Sequence, residues 1–537
     1  MRWLRLFLVA VGLLVVGAAL GFLVWMRYAE RPSEEAPPER AGEGGKAPGD
    51  TVVADPPRIE PGEGGRVAIR YPDAAIEGEL TLHFQSRREY KAFLKALGEV
   101  DAAPLGRIDE LLAVRVDSET LGRVRPGRYG GRPAFSYRVV RPPPPVEIAP
   151  ERLARLRPFG RTAREIANAR HDGDGTGVLV GILDSGIQPH PQFDDVYIVH
   201  IDLVGGGVDG PGSAHGTSVA SIIAGSEGIA PKAELFVVRA LDDSGTGNSF
   251  HVAEGIVQAV DLGVEILNLS LGVYTDSQLV REAVRYADER GVLMVASAGN
   301  DGYGRLPFPA AYEEVLAVTA VDAGERHALF PNQSEAIDFA APGVGVVTAK
   351  GEEGTAPFSG TSAAAPFVSA TLARMLSGET ERTPRAAVKL LRRLLNDGGA
   401  PGKDPLYGAG MLDWERLGER AQPGVRDLAL AGVHLDGEAR PGTTAPVRVT
   451  VQNRGTAWCS RASLEVALGE GEPVAFTIGA LGPGQITTRK VFAQLPPADS
   501  EAPLSVSARV FSEDPVDEVR LENNLKSVLF RPAAGDG

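Results

Sequence analysis

Apolar and polar positions follow four distinct rhythms along the chain, and each predicts a different kind of structure. The first is an unbroken apolar run from Leu6 to Met26, without a charge. At about 1.5 Å per residue such a helix spans about 31 Å, the thickness of a bilayer core. Arg2 and Arg5 precede it; Arg27 and Arg31 follow, together with Glu30, Glu34 and Glu35. That bias favours the N-terminus inside and the rest of the chain outside. The run exceeds the roughly 7–15 apolar residues of a cleaved signal, and Val24-Trp25-Met26-Arg27 is a poor cleavage site. Residues 1–30 therefore predict a signal anchor, a single-pass transmembrane helix in the cell membrane with the bulk of the chain extracytoplasmic. Secretion after signal cleavage is the alternative. Residues 31–65 are rich in Pro, Gly and Glu, lack apolar periodicity, and predict a disordered linker.

The second rhythm covers 66–145. Leu80, Leu82 and Phe84 alternate as on a half-buried strand. Ser86 and Glu89 then form a capping-box pair, and Tyr90, Phe93, Leu94 and Leu97 follow at helical spacing. Leu112, Val114 and Val116 alternate again, a short helix begins at Ser118, and Phe135 to Val140 reads as a last strand. Four prolines at 142–145 close the region as a stiff linker. This order predicts a small α+β domain of ferredoxin-like type.

From 150 to 420 the apolar runs become short and continuous: Val178–Leu183, Leu235–Val238, Ile266–Leu271, Leu293–Ala296 and Val315–Val321. Helical patterns lie between them. Strands buried on both faces look like this, so an α/β domain with a parallel sheet covered by helices is predicted. Thr383-Pro384 supplies the cap and first turn of a late helix expected to end near Gly398. From 425 to 532 strict alternation returns at Val447, Val449 and Val451, at Leu464, Val466 and Leu468, and at Leu504, Val506, Ala508 and Val510. Turn residues separate these segments, which predicts a β-sandwich of about seven strands.

Composition narrows the function classes. A hydrophobic content of 43% excludes global disorder. With 55 basic and 70 acidic residues the net charge is −15, which disfavours nucleic acid and anionic lipid surfaces as partners. The single cysteine, Cys459, excludes an intrachain disulfide and cysteine-rich zinc modules.

Candidate chemistry is confined to the central region. Asp184 follows V-L-V-G-I-L and opens D-S-G-I, at the carboxyl end of a predicted strand, where open α/β sheets place reactive groups. His215 opens H-G-T-S-V-A-S-I-I-A-G at a predicted helix start. Ser362 lies in S-G-T-S-A-A-A-P-F-V-S-A at another, where backbone N–H groups and the helix dipole favour an anion. Asn300 ends A-S-A-G-N, just beyond an apolar run, and its amide can donate to the same anion. A serine hydroxyl becomes nucleophilic when an imidazole takes its proton. The imidazole needs a carboxylate to fix its tautomer, and the oxyanion needs donors. The chain offers Ser362, His215, Asp184 and Asn300 for these roles.

In these four segments the chain resembles the subtilase family of serine peptidases. The motifs D-[ST]-G, H-G-T, A-x-G-N and G-T-S-x-A-x-P occur here in the family's order, and the resemblance covers about residues 160–415. It implies a serine endopeptidase that hydrolyses protein or peptide substrates and requires no cofactor for catalysis. It also implies that Ser270, Leu271 and Gly272 belong to a strand that pairs with substrate backbone. Ser297, Ala298 and Gly299 would line the specificity pocket, with its floor in the loop Asp301 to Phe308. The chain departs from the family pattern at Ser218, Ala363 and Phe367, none of which carries the chemistry. Val273 replaces the second glycine of S-L-G-G, which reshapes the cleft. The segment after His215 lacks the Asn-rich loop that holds calcium in many relatives, so no metal is predicted there. Calcium elsewhere stays open because of the acidic pairs Asp194-Asp195 and Asp242-Asp243.

By pattern and position, residues 66–145 resemble a subtilase propeptide, which implies a zymogen with its own intramolecular inhibitor. The segments V-T-V-Q-N-R-G-T and L-E-N-N-L-K-S-V resemble signature strands of bacterial adhesion-related, immunoglobulin-like modules. The expected partners are thus protein substrates, the chain's own N-terminal domain, and the membrane through the first helix, but not nucleic acid.

Overall fold

The computed structural model describes residues 67–144, 156–168, 173–378, 383–436, 440–497, 502–513 and 518–530, with isolated positions at 57, 59–61 and 500. The anchor expected at Leu6 to Met26 lies outside the described residues. Among the described residues no helix is long and apolar enough to cross a membrane. Most of the linker expected at 31–65 also lies outside them. Its end, however, is not structureless: strand β1 (Ile59–Pro61) pairs antiparallel with β2 (Val67–Ile69). That pairing satisfies backbone groups, which a reading of side-chain composition does not register.

The N-terminal domain comprises β3 (Glu79–His83), α1 (Arg87–Glu99), β4 (Gly106–Ile108), β5 (Ala113–Asp117), α2 (Ser118–Arg123) and β6 (Arg132–Ala134). Its sheet order is β4-β5-β3-β6, the split βαβ arrangement of ferredoxin-like folds. Ser86 caps α1, accepting from Glu89 N at 3.3 Å, but the Glu89 carboxylate accepts from Ser86 Oγ at 3.0 Å rather than from the backbone. Only half of the expected reciprocal box therefore forms. Strand β4, three residues long, carries too little alternation to be read from sequence. The expected last strand also differs. Residues 132–134 supply the edge of this sheet, while β7 (Arg138–Val140) leaves it and pairs antiparallel with Thr246–Asn248 of the central domain.

The central domain contains α3 (Ala163–Ala167), β8 (Leu179–Asp184), β9 (Ile198–Asp202), α4 (Ala214–Ile223), β10 (Glu234–Arg239), β11 (Thr246–Asn248), α5 (Ser249–Asp261), β12 (Ile266–Leu269), α6 (Gln278–Glu289), β13 (Leu293–Ser297), β14 (Val315–Val321), β15 (Ile337–Pro342), β16 (Val346–Lys350), β17 (Gly354–Phe358), α7 (Thr361–Ser377), α8 (Pro384–Arg393) and α9 (Trp414–Glu419). Seven strands in the order β15-β14-β13-β12-β8-β10-β9 form one parallel sheet. Every residue of β12 and β14 is buried, as strands covered on both faces require. Alternate residues feed two cores. Leu235 and Val237 of β10 join the cluster under α4, α7 and α8, while Phe236 and Val238 join the cluster under α5 and α6.

The second of these cores does not stop at the central domain. Leu80, Phe93 and Val114 of the N-terminal domain belong to the same buried cluster as Phe250, Leu279 and Val280. Arg115 sits over the Phe250 ring at 5.3 Å, and His83 Nδ1 meets Glu282 Oε2 at 3.0 Å. Helix α8 ends at Arg393, earlier than expected, because Asn396 switches to extended pairing, exchanging bonds of 2.9 and 2.8 Å with Met411.

The C-terminal domain comprises β18 (Leu428–Leu435), β19 (Thr444–Asn453), β20 (Ala462–Leu468), β21 (Val474–Ile478), β22 (Ile486–Gln494), β23 (Leu504–Ser512) and β24 (Leu525–Phe530). They form two sheets, β18-β19-β22 and β21-β20-β23-β24, packed on a core of their own that includes Val447, Val449, Leu464, Val466 and Val506. Polar groups seat this sandwich on the central domain. Arg416 Nε donates to Arg454 O at 3.0 Å, and Gln452 Nε2 donates to Leu395 O at 3.0 Å. Arg520 bridges Glu419 at 2.8 Å and Asp427 at 2.6 Å.

Candidate active site

Asp184 ends β8, and its strand end is fixed by Ala240 N and Leu241 N, which donate to its carbonyl at 2.8 and 3.1 Å. The side chain is fully buried. A buried carboxylate needs donors, and it has them: Ser185 N at 2.7 Å, and His215 Nδ1 at 2.8 Å from one oxygen and 2.9 Å from the other. With Nδ1 committed to Asp184, Nε2 of His215 is left as the acceptor.

His215 is the second residue of α4, and several contacts hold that helix against the loop after Asp184. Ser213 Oγ donates to Ser185 O at 2.8 Å, and Gln188 N donates to Thr217 Oγ1 at 2.8 Å. At Gly216 an added Cβ would stand 2.1 Å from Gly186 O, so a side chain there would push the helix and its histidine away from Asp184. Phe358 presents an edge-to-face contact to the His215 ring, with centroids 5.4 Å apart. Ser218, where the family pattern carries histidine, accepts from Thr348 Oγ1 at 3.1 Å and so ties α4 to β16.

Ser362 is the second residue of α7 and is buried. Among the described residues its Oγ has no hydrogen-bond partner, so the bond expected to His215 is not formed. Asn300 is held by its oxygen: Oδ1 accepts from both Thr361 N and Thr361 Oγ1 at 2.9 Å. This turns Nδ2 the other way, where it donates to Pro143 O at 2.9 Å. Gly360, at φ +134°, lets the chain pass close by; a Cβ there would lie 2.9 Å from Asn300 Nδ2. His215, Asn300 and Ser362 line one cavity of about 440 Å³, together with Arg141, Pro142, Pro144 and Phe358.

The expected substrate-strand residues divide. Gly272 exchanges backbone bonds of 2.8 and 3.0 Å with Val140. Ser270 Oγ instead accepts from Asn268 Nδ2 at 3.0 Å, and the Leu271 side chain lies in the apolar core shared with the N-terminal domain. Among the residues expected to line the specificity pocket, Ser297 is fully buried, Ala298 N donates to Val318 O at 3.0 Å, and Gly299 N donates to Thr361 Oγ1 at 3.1 Å. The acidic pair Asp242-Asp243 is already engaged: Asp242 accepts from Ser244 N and Thr246 N within a turn, and Asp243 pairs with Arg239.

Two residues were missed by the sequence reading. Thr361 orients Asn300; the signal was the threonine of the G-T-S motif itself. Asn332, fully buried, staples the pocket loop, with Oδ1 accepting from Asp301 N at 3.2 Å and Tyr303 N at 2.9 Å. Its Nδ2 donates to Ala298 O at 2.9 Å and to the Tyr274 hydroxyl at 2.8 Å. Burial, followed by the Asp301 carboxylate, pushes the Tyr274 hydroxyl well above its ordinary range, so it stays protonated and donates to Asp301. Asn332 lies in a segment without apolar rhythm or motif, so nothing local announced it.

Comparison with known proteins gives two family matches: a sequence model described as the subtilase family matches residues 175–410, and a CARDB model matches residues 426–528. Subtilisin Savinase of Lederbergia lenta is 34% identical over 273 residues, covering 48% of this chain and 97% of that protein. An alkaline protease of Alkalihalobacillus alcalophilus is 34% identical over 278 residues, covering 49% of this chain and 70% of its own. Minor extracellular protease Epr of Bacillus subtilis strain 168 is 34% identical over 252 residues, 45% of this chain, which spans only 38% of Epr.

Proposed function

The chain belongs to the subtilase family of serine peptidases, and from that premise we propose that it is an endopeptidase using Ser362 as nucleophile. His215 Nε2 takes the Ser362 Oγ proton as Oγ attacks the carbonyl carbon of the scissile bond. Asn300 Nδ2 and the Ser362 N–H donate to the oxygen as it becomes an oxyanion. His215 then protonates the leaving amine, and water hydrolyses the acyl-enzyme by the same route reversed. Asp184 remains ionised throughout and stabilises the imidazolium. No step uses a metal or cofactor. The N-terminal domain acts as an intramolecular inhibitor, and the Leu6 to Met26 segment tethers the chain with its catalytic domain outside the cytoplasm.

The observation that most supports this reading is the buried Asp184 carboxylate against His215 Nδ1, in a site whose cavity Ser362 and Asn300 also line. Ser362→Ala is expected to lower kcat by about 10⁶, and Asn300→Ala by about 10²–10³; both magnitudes are those known from subtilisin, a relative. Turnover of a peptide substrate by the two variants, with fluorophosphonate labelling of the parent chain, is the test. A Ser362→Ala chain that kept a tenth of the parental turnover would remove that serine from the chemistry.

A further inference from the structure

The chain from Arg138 to Pro144 lies along the same site. On one side β7 pairs with β11, and Arg141 N donates to Gly245 O at 3.1 Å. On the other, Val140 exchanges both backbone bonds with Gly272. The segment is thus the middle strand of a three-stranded arrangement, held through its backbone as a bound peptide is. The ladder stops at Arg141, because the next residues are prolines and have no N–H to give. Pro142 and Pro144 line the cavity with His215 and Ser362, and the Pro143 carbonyl accepts from Asn300 Nδ2 at 2.9 Å.

The carbonyl offered to the oxyanion donor therefore belongs to a bond, Pro143–Pro144, whose nitrogen is tertiary. Hydrolysis of that bond would break C–N after Oγ attack, and His215 would have to protonate a ring nitrogen already carrying three carbon substituents. The two rings flanking this bond also fix φ on either side of it. The segment therefore has little backbone freedom with which to bring that carbonyl carbon onto Ser362 Oγ. The neighbouring bond, Pro142–Pro143, carries the same restriction.

Building on the peptidase reading above, we propose that Arg138–Pro144 is a hydrolysis-resistant plug. The N-terminal domain is a resident inhibitor that the enzyme's first turnover does not consume at the cleft. The chain stays latent until a cut outside the proline run releases the tail. Tethering makes this effective, since an attached segment competes at a local concentration of order millimolar.

The test uses the full chain and a second full chain carrying Pro142→Ala, Pro143→Leu and Pro144→Ser, each also made with Ser362→Ala. Intact mass and N-terminal sequencing read self-cleavage, casein hydrolysis reads activity, and a fluorophosphonate probe reads access to Ser362. The parent chain is expected to remain uncut from Arg141 to Val146 and to label slowly. The substituted chain is expected to cut itself inside this segment and to hydrolyse casein faster by about tenfold or more. The Ser362→Ala change should abolish that cut. Self-cleavage of the parent chain within the proline run overturns the proposal. So does a substituted chain that labels and hydrolyses casein at the parental rate yet stays uncut. If no chain with Ser362 hydrolyses casein or takes the probe, the peptidase reading itself fails, and the plug with it.

Discussion

The two accessory domains are seated on the central domain by opposite physics. The N-terminal domain shares one apolar cluster with it: Phe93 and Val114 on one side and Phe250 and Leu279 on the other belong to a continuous core. The C-terminal sandwich keeps its core to itself and meets the central domain through buried polar groups, among them Arg416, Gln452 and Asp397. An apolar contact is non-directional and roughly proportional to area. A polar contact fixes register, since a small slip leaves donors and acceptors unpaired. The first suits a domain that places a tail in a cleft; the second suits a module held at one fixed orientation.

Three substitutions, made in the Ser362→Ala chain to prevent self-digestion, would break or sharpen this contrast. The largest effect is expected at Phe250, which is fully buried against both Arg115 and the close-packed Gly106. Phe250→Ala should cost about 3–5 kcal/mol in denaturant unfolding, as a core truncation does. A loss of less than about 1 kcal/mol would show that the N-terminal contact is not core-like.

Arg416→Met comes next. This buried guanidinium donates to Arg454 O, to Leu395 O, and to Asn396 Oδ1 at 3.3 Å. Burial holds its pKa down, to about 10, so the charge is already costly there. Replacement should cost about 1.5–3 kcal/mol, the orphaned carbonyls outweighing the relief of desolvation. A neutral or stabilising outcome in the same unfolding measurement would mean that this network sets orientation without adding stability.

The third substitution, and the most diagnostic, is at Asp397. Burial, reinforced by the nearby Asp404 carboxylate, pushes its pKa up to about 7. One of its oxygens accepts from Gly402 N at 2.8 Å, and the other has no partner among the described residues. Because the folded-state pKa is raised, the native chain holds a proton that the unfolded chain releases between about pH 4 and 7. The parent chain should therefore lose stability as pH rises through that window. Asp397→Asn cannot ionise, so its Tm should match the parent's at about pH 3.5, before the loss begins, and exceed it at pH 8. Equal Tm values at both pH values would leave the polar seat without an ionisation cost.

The catalytic candidates were legible because each stands where a strand ends or a helix begins, and such places carry short motifs of fixed residue type. Asp184 after V-L-V-G-I-L is an example. The α/β class followed from runs such as Val315–Val321, since short apolar runs rich in β-branched residues, with helical patterns between them, fit strands covered on both faces. What escaped was pairing between distant segments. Val140 carries no mark of its destination beside Gly272, because the bonds run through backbone that all residues share. Gly106–Ile108 is too short for alternation, and Asn332 acts alone, from a loop. The half-formed box at Ser86 shows the same limit at shorter range: the residue types were right, but the carboxylate chose the hydroxyl over the backbone.

Helix α7 is buried at every position from Thr361 to Met375. A rod enclosed on all sides cannot be nudged at one end without disturbing its neighbours along the whole length. A change in the shape of the cleft is therefore easier to make elsewhere, in the β16–β17 hairpin, whose Phe358 lines the cavity, and in the loop stapled by Asn332.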